Sequence, residues 1–219
     1  MTGRSQPPNR PDASRPDARR GHYFDASPGS ASRPGEVRLT LPDLSLTLRT
    51  DRGVFSPDRV DTGTKVLLVE LPDLAGLPAG DVVDLGCGYG PIACTLALRL
   101  PGRRVWAVEV NERARGLCAA NAATAGVADR VDVVGPDGVP SERPLAAIVS
   151  NPPIRIGKAA LHDLLAEWLG RLVPGGEAWL VVQKHLGADS LARWLGEQGW
   201  EATRAHSRKG YRILRVRRP

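Results

Sequence analysis

Three short stretches carry residues able to do chemistry: Asp84 with the turn Gly86-Cys87-Gly88-Tyr89-Gly90, then Glu109-Val110, then Asn151-Pro152-Pro153. A glycine turn brings backbone N–H groups close to a ligand at a helix N-terminus, and a carboxylate ending the next strand can accept from a ribose diol. That pair points to a nucleoside-bearing ligand. Asn151 offers a side-chain oxygen and Pro152 a carbonyl, while two successive prolines donate no N–H and fix the backbone. Two acceptors that bind both hydrogens of a conjugated amine can pyramidalise its nitrogen and turn the lone pair toward an electrophile. Such a displacement depends on alignment more than on proton transfer. The motif therefore argues for a planar nitrogen as the acceptor atom rather than a hydroxyl or a carboxylate.

The elements that must position these residues follow from the pattern around them. Val82–Leu85 is a short apolar run before the glycine turn, Pro91–Leu100 has a helical apolar pattern, and a second apolar run ends at Glu109. The order is strand, turn, helix, strand. Further on, a helix is expected over Glu112–Ala125, with Leu117, Ala120 and Ala123 toward the sheet and Gly126 at its end. Strands are expected at Val131–Val134 and Leu145–Val149, the second running into Asn151. A helix from about Ala159 to Leu172 is broken by Pro174-Gly175-Gly176, a turn signal, before the apolar run Ala178–Val182. A helix at Ser190–Gln198 and strands at Trp200–Ala205 and Arg212–Val216 close the chain, the two strands forming an antiparallel pair. Alternating strands and helices make a mostly parallel α/β sheet covered on both faces. Before the glycine turn, Val37–Leu41 and Leu44–Leu48 read as a β-hairpin around Pro42-Asp43, and a helix follows at about Asp61–Leu71.

A dinucleotide fingerprint would place its third glycine where Pro91 stands. The run D-L-G-C-G-Y-G with a later V-E-V-N instead resembles the S-adenosylmethionine (SAM) loop of class I methyltransferases. The resemblance implies a Rossmann-like, mostly parallel seven-stranded sheet with an antiparallel C-terminal edge hairpin. It implies SAM as cofactor, with Asp84 near the methionine end and the backbone of Gly86, Cys87, Gly88 and Gly90 along the cofactor. Glu109, with Val110 beside it, would take the ribose, and Asp137 the adenine amine; an ordinary Asp-Gly turn is the structural alternative at Asp137. The segment G-V-F-S-P-D-R-V-D-T-G-T-K-V-L-L resembles the one before the core in small-subunit ribosomal RNA guanine-N2 methyltransferases of the C type. That resemblance places Phe55, Ser56, Asp61 and Thr64 near SAM; a plug on the sheet by Phe55 and a helix cap by Asp61 or Thr62 are the alternatives. Ile154, standing where an aromatic often follows Asn-Pro-Pro, together with Arg155, Lys158 and Lys184, is expected to meet substrate.

Three cysteines without CxxC spacing and four scattered histidines imply reduced thiols and no metal. No run approaches the roughly 18 apolar residues of a membrane span, and no apolar leader core is present. The expectation is a cytoplasmic monomer. The formal net charge is +6, and the first twenty residues, with five arginines and two aspartates, hold +3 of it. Residues 1–20 are expected to be a disordered basic tail, 21–80 an extension covering the cofactor site, and 81–219 the methyltransferase core. Seven basic residues and no acid lie between Thr203 and Pro219, which predicts a positive edge facing RNA. The expected activity is SAM-dependent N-methylation of a guanine exocyclic amine in small-subunit ribosomal RNA. Alternatives are a protein-glutamine or other nucleic-acid amine methyltransferase, a catalytically idle SAM-binding RNA module and, disfavoured by Pro91, a nicotinamide oxidoreductase.

Overall fold

In the computed structural model, which describes residues 30–218, Val37, Leu39, Leu46 and Leu48 are buried while their neighbours along the chain are exposed. This period of two makes the hairpin β1 (Gly35–Thr40) and β2 (Ser45–Thr50), closed by Leu41 N donating to Leu44 O at 2.9 Å. The arginine-rich stretch 1–20 lies outside the described residues. Asp61 caps α1 (Thr62–Glu70) by accepting from Thr64 N. The glycine turn joins β3 (Asp81–Leu85) to α2 (Pro91–Arg99), which leads to β4 (Val105–Val108), α3 (Glu112–Thr124) and β5 (Val131–Val134). Then come β6 (Leu145–Ser150), α4 (Lys158–Gly170), β7 (Leu172–Gln183), α5 (Ala188–Glu197), β8 (Glu201–Arg208) and β9 (Tyr211–Arg217).

Seven strands form one sheet in the order β5-β4-β3-β6-β7-β9-β8. The first five are parallel, and β9 runs against both its neighbours, so the last strand is inserted inside the edge. Val82 and Val83 are both fully buried, facing opposite sides, as expected of parallel strands covered by helices on both faces. One side packs the hairpin, α1, α2 and α3 over Val82, Ala107, Val149 and Ile213. The other packs α4 and α5 over Val83, Ile148, Leu180 and Leu214, with Trp168 filling the middle.

Two expectations are corrected. The buried stripe of α3 is Ala114, Cys118, Asn121 and Ala122, whereas Leu117 and Ala120 are half-buried and Ala123 is exposed. Asn121 owes its burial to hydrogen bonds: it accepts from Arg49 N and donates to the carbonyls of Arg49 and Tyr89, fastening β2 to the glycine turn. Pro174-Gly175-Gly176 does not separate a helix from a later strand. It lies inside β7 as an irregularity, the pairing stepping from Leu145–Leu172 to Ala147–Glu177, with Gly175 at φ +77°.

The basic C-terminal run is paired in part. Arg215 and Arg217 pair with buried Glu177, Arg212 with Asp189, Arg208 with Glu70, and Arg218 donates to Leu172 O. These three acids, from β7, α5 and α1, offset three of the seven positive charges, a pairing that local sequence cannot display. Arg204 and Lys209 stay exposed. Among the described residues no helix is long and apolar enough to cross a membrane, and no group of three or more His, Cys, Asp or Glu could hold a metal ion.

Candidate active site

The sheet order reverses at β3: β4 and β5 continue to one side, β6 and β7 to the other. In open α/β sheets the ligand crevice lies beyond the carboxyl ends of the strands at such a reversal. A cleft of about 530 Å³ opens there. Among the residues expected to act, Phe55, Asp61, Gly86, Gly88, Glu109, Val110 and the run Asn151–Arg155 line it. Thr64 and Cys87 line an adjoining recess of about 30 Å³ between α1 and the glycine turn.

The turn is built to approach a ligand. Gly88 stands at φ +55°, and a Cβ there would meet nothing within 4 Å. Its N–H donates to Glu109 Oε2 at 2.9 Å, while Asn111 N donates to Oε1 at 3.0 Å. Burial pushes the Glu109 carboxyl up, against the pull of these N–H groups. A carboxylate has about four lone-pair sites, so acceptor capacity remains for a ligand. Gly90 serves packing instead. At φ +91° a Cβ would lie 2.6 Å from Cys118 Sγ, so this glycine lets α2 pack on α3.

The amide of Asn151 is held in one orientation. Its Nδ2 donates to Asp61 Oδ2 at 2.9 Å and to Thr64 Oγ1 at 3.0 Å. Exchanging the amide ends would set two oxygens against each other, so Oδ1 is turned away from the carboxylate and remains the acceptor arm. The Pro152 carbonyl accepts from Ile154 N at 2.8 Å, which leaves one of its two lone pairs. Asp61 thus caps α1 and orients Asn151 together.

Six expected site residues stand off the cleft wall. Asp84 is fully buried, its Oδ2 accepts from Ala93 N at 2.8 Å inside α2, and its Oδ1 has no hydrogen-bond partner among the described residues. Burial pushes its carboxyl well above the usual range; Ala93 N–H works against this and Glu109 adds to it. Gly90 faces Cys118, as described. Ser56, at φ +52°, donates through Oγ to Arg59 O and accepts at its carbonyl from Tyr89 Oη at 3.4 Å. Asp137 is exposed one residue beyond cleft-lining Pro136, and Lys158 and Lys184 are exposed as well. His162 is stacked on Trp194 at 3.8 Å, and His185 is exposed; neither lines the cleft.

Gln183 and Tyr211 line the cleft without having been expected there. Gln183 sits at the carboxyl end of a core strand, a position that marks it in the sequence. Tyr211 has no such signal, because only the insertion of β9 beside β7 brings it opposite Gln183.

Known proteins agree with this architecture. A family model described as methyltransferase small domain matches residues 45–215. A Bacillus subtilis relative, the uncharacterized protein YbxB, is 34% identical over 202 residues, 90% of this chain and 98% of its own. Ribosomal RNA small subunit methyltransferase C of Shewanella amazonensis is 32% identical over 78% of this chain and 50% of its own, and that of Pseudomonas aeruginosa 38% identical over 68% and 45%. This chain thus spans about half the length of those two relatives. A solved structure of the T. thermophilus 16S rRNA N2 G1207 methyltransferase in complex with AdoMet and guanosine has a TM-score of 0.70. It covers 86% of this chain and 52% of that one at 22% identity, a likeness of fold.

Proposed function

We propose that this chain, which belongs to the methyltransferase small domain family, transfers the methyl group of SAM to the exocyclic amine of a guanine in small-subunit ribosomal RNA. The observation that carries the reading is the fixed Asn151 amide, its oxygen left as an acceptor beside a glycine turn whose open face can take a nucleoside. The relatives named as ribosomal RNA methyltransferases support the substrate class.

The cleft fits SAM in its donor set. Glu109 accepts the ribose hydroxyls, and its remaining lone pairs suit a diol. The backbone of Gly86 and Gly88 lets the cofactor approach, and Val110 and Pro136 supply an apolar wall for the adenine. Bound SAM supplies an electrophilic methyl group. Asn151 Oδ1 and the free lone pair of the Pro152 carbonyl bind the two amine hydrogens, and Ile154 and Phe55 cover the base. This platform would pyramidalise the nitrogen and aim its lone pair at the methyl carbon; the N–C bond forms as the S–C bond breaks, S-adenosylhomocysteine leaves, and the surplus amine proton passes to solvent afterward, so no side chain has to remove it first. Asp61 and Thr64 act through Asn151 as positioning residues.

RNA phosphate would be met around the mouth. Arg155 lines the cleft, and Lys184, whose N–H donates to Gly210 O at 2.8 Å, lies against the turn carrying Lys209. The reading carries with it a cytoplasmic location. Incubating the protein with labelled SAM and separated ribosomal RNAs, proteins and subunits, then analysing nucleosides, tests it. Label in N2-methylguanosine from small-subunit RNA is expected; label confined to protein would overturn it.

A further inference from the structure

Gln183 ends β7, and its side chain makes no hydrogen bond to the described residues. Asn111 and Asn151 also bring carboxamides to the cleft, but both are engaged. Asn111 caps α3 through Ala114 N and donates to Gly53 O, and Asn151 is held by Asp61 and Thr64. β6 and β7 are neighbours in parallel, with Ser150 opposite Leu180. Asn151 thus stands level with Val181, and Gln183 lies on the same face of the next strand, about 4.8 Å to the side and two residues, about 6.6 Å, further along. On its other side Gln183 pairs with Tyr211, which is wedged against the first turn of α1, where a Cβ at Gly63 would lie 2.7 Å from the Tyr211 ring. Phe55 and Leu186, 44% and 48% exposed, stand at the cleft as apolar surfaces for a flat base.

We infer that Gln183 reads the acceptor base and selects guanine, an inference that rests on the methyl-transfer reading above. Along one edge of guanine the exocyclic amine is followed by N1–H, a donor, and O6, an acceptor. With the amine hydrogens on Asn151 and Pro152, the next two groups face the neighbouring strand end. A carboxamide offers one acceptor and one donor, the matching pair. Adenine with its amine on the same platform presents N1, an acceptor, followed by C2–H. Cytosine presents two acceptors. Neither satisfies both arms of Gln183.

The test uses short single-stranded RNAs with one guanine, or one 2-aminopurine in its place, which keeps the amine but lacks N1–H and O6. Each is titrated against the full chain with S-adenosylhomocysteine, and methyl incorporation from labelled SAM is followed in parallel. Wild type is expected to prefer guanine about tenfold or more, the scale of a bidentate base contact. Gln183→Ala and Gln183→Leu should bring the preference within about twofold while SAM affinity and melting temperature hold. A preference that persists in both variants, or is missing in wild type, overturns the role of Gln183. If wild type places no label on guanine in ribosomal RNA, the methyl-transfer reading itself falls.

Discussion

Asp61 Oδ2 accepts two hydrogen bonds, from Thr64 N at 3.0 Å and from Asn151 Nδ2 at 2.9 Å. One carboxylate therefore starts the helix that follows the hairpin and sets the orientation of the acceptor amide ninety residues later. The segment before the core is thereby coupled to the placement of the reacting nitrogen.

Asp61→Ala is expected to lower kcat by about 10²-fold, the cost of a misplaced reacting group, with SAM affinity little changed. Helix capping would also weaken by about 1 kcal/mol. Asp61→Asn, which keeps an acceptor for Asn151, should recover part of the rate. Steady-state kinetics beside a SAM titration separate the effects, and an equal loss of SAM affinity would assign Asp61 to the cofactor instead.

Glu109→Ala should weaken SAM binding at least tenfold, because a hydrogen bond to a charged acceptor contributes about 1.5–3 kcal/mol. Only the ionised carboxylate accepts from both hydroxyls. Since burial raises its folded pKa, SAM affinity should begin to fall, on acidification, at a higher pH than for a solvated glutamate near 4.3. Calorimetric titrations across pH would detect this, and Glu109→Gln should be weaker throughout and nearly flat.

Glu177 ties β7 to β9. Burial opposes its ionisation, but Arg215 and Arg217 outweigh that and hold the carboxyl below its ordinary value. A depressed carboxyl contributes stability above its unfolded pKa and loses it as pH falls through the folded one. Glu177→Gln should destabilise by about 1–3 kcal/mol near neutral pH, with the gap to wild type closing in acid. Denaturant titrations at pH 7 and below pH 3 would check both halves.

Asn121→Ala should cost about 2–4 kcal/mol, leaving Arg49 N–H and two carbonyls without their partner. Because those bonds hold β2 to the glycine turn, amide exchange in β1 and β2 should accelerate more than in β3 or β6. Uniform acceleration would mean that Asn121 supports the whole core instead.

The glycine turn, Glu109 and Asn151-Pro152-Pro153 were legible in the sequence because each is a local pattern: an apolar run, then a group at the strand end where parallel sheets bind ligands. The hairpin was legible for the same reason, through its period of two. The direction in which Asp84 points was not, since a carboxylate two residues before the turn can face the ligand or the helix, and the hydrogen bond from Ala93 N holds it toward the helix. Nor was the partial pairing of the C-terminal arginines, because Glu70, Glu177 and Asp189 reach Arg208, Arg215, Arg217 and Arg212 only across strand and helix neighbours distant in the chain. Local periodicity encodes which face of an element is buried and where it ends. The order of strands in the sheet, and with it the placing of Tyr211 beside Gln183 and of Asp61 beside Asn151, came from burying both faces of the sheet at once, which no local window contains.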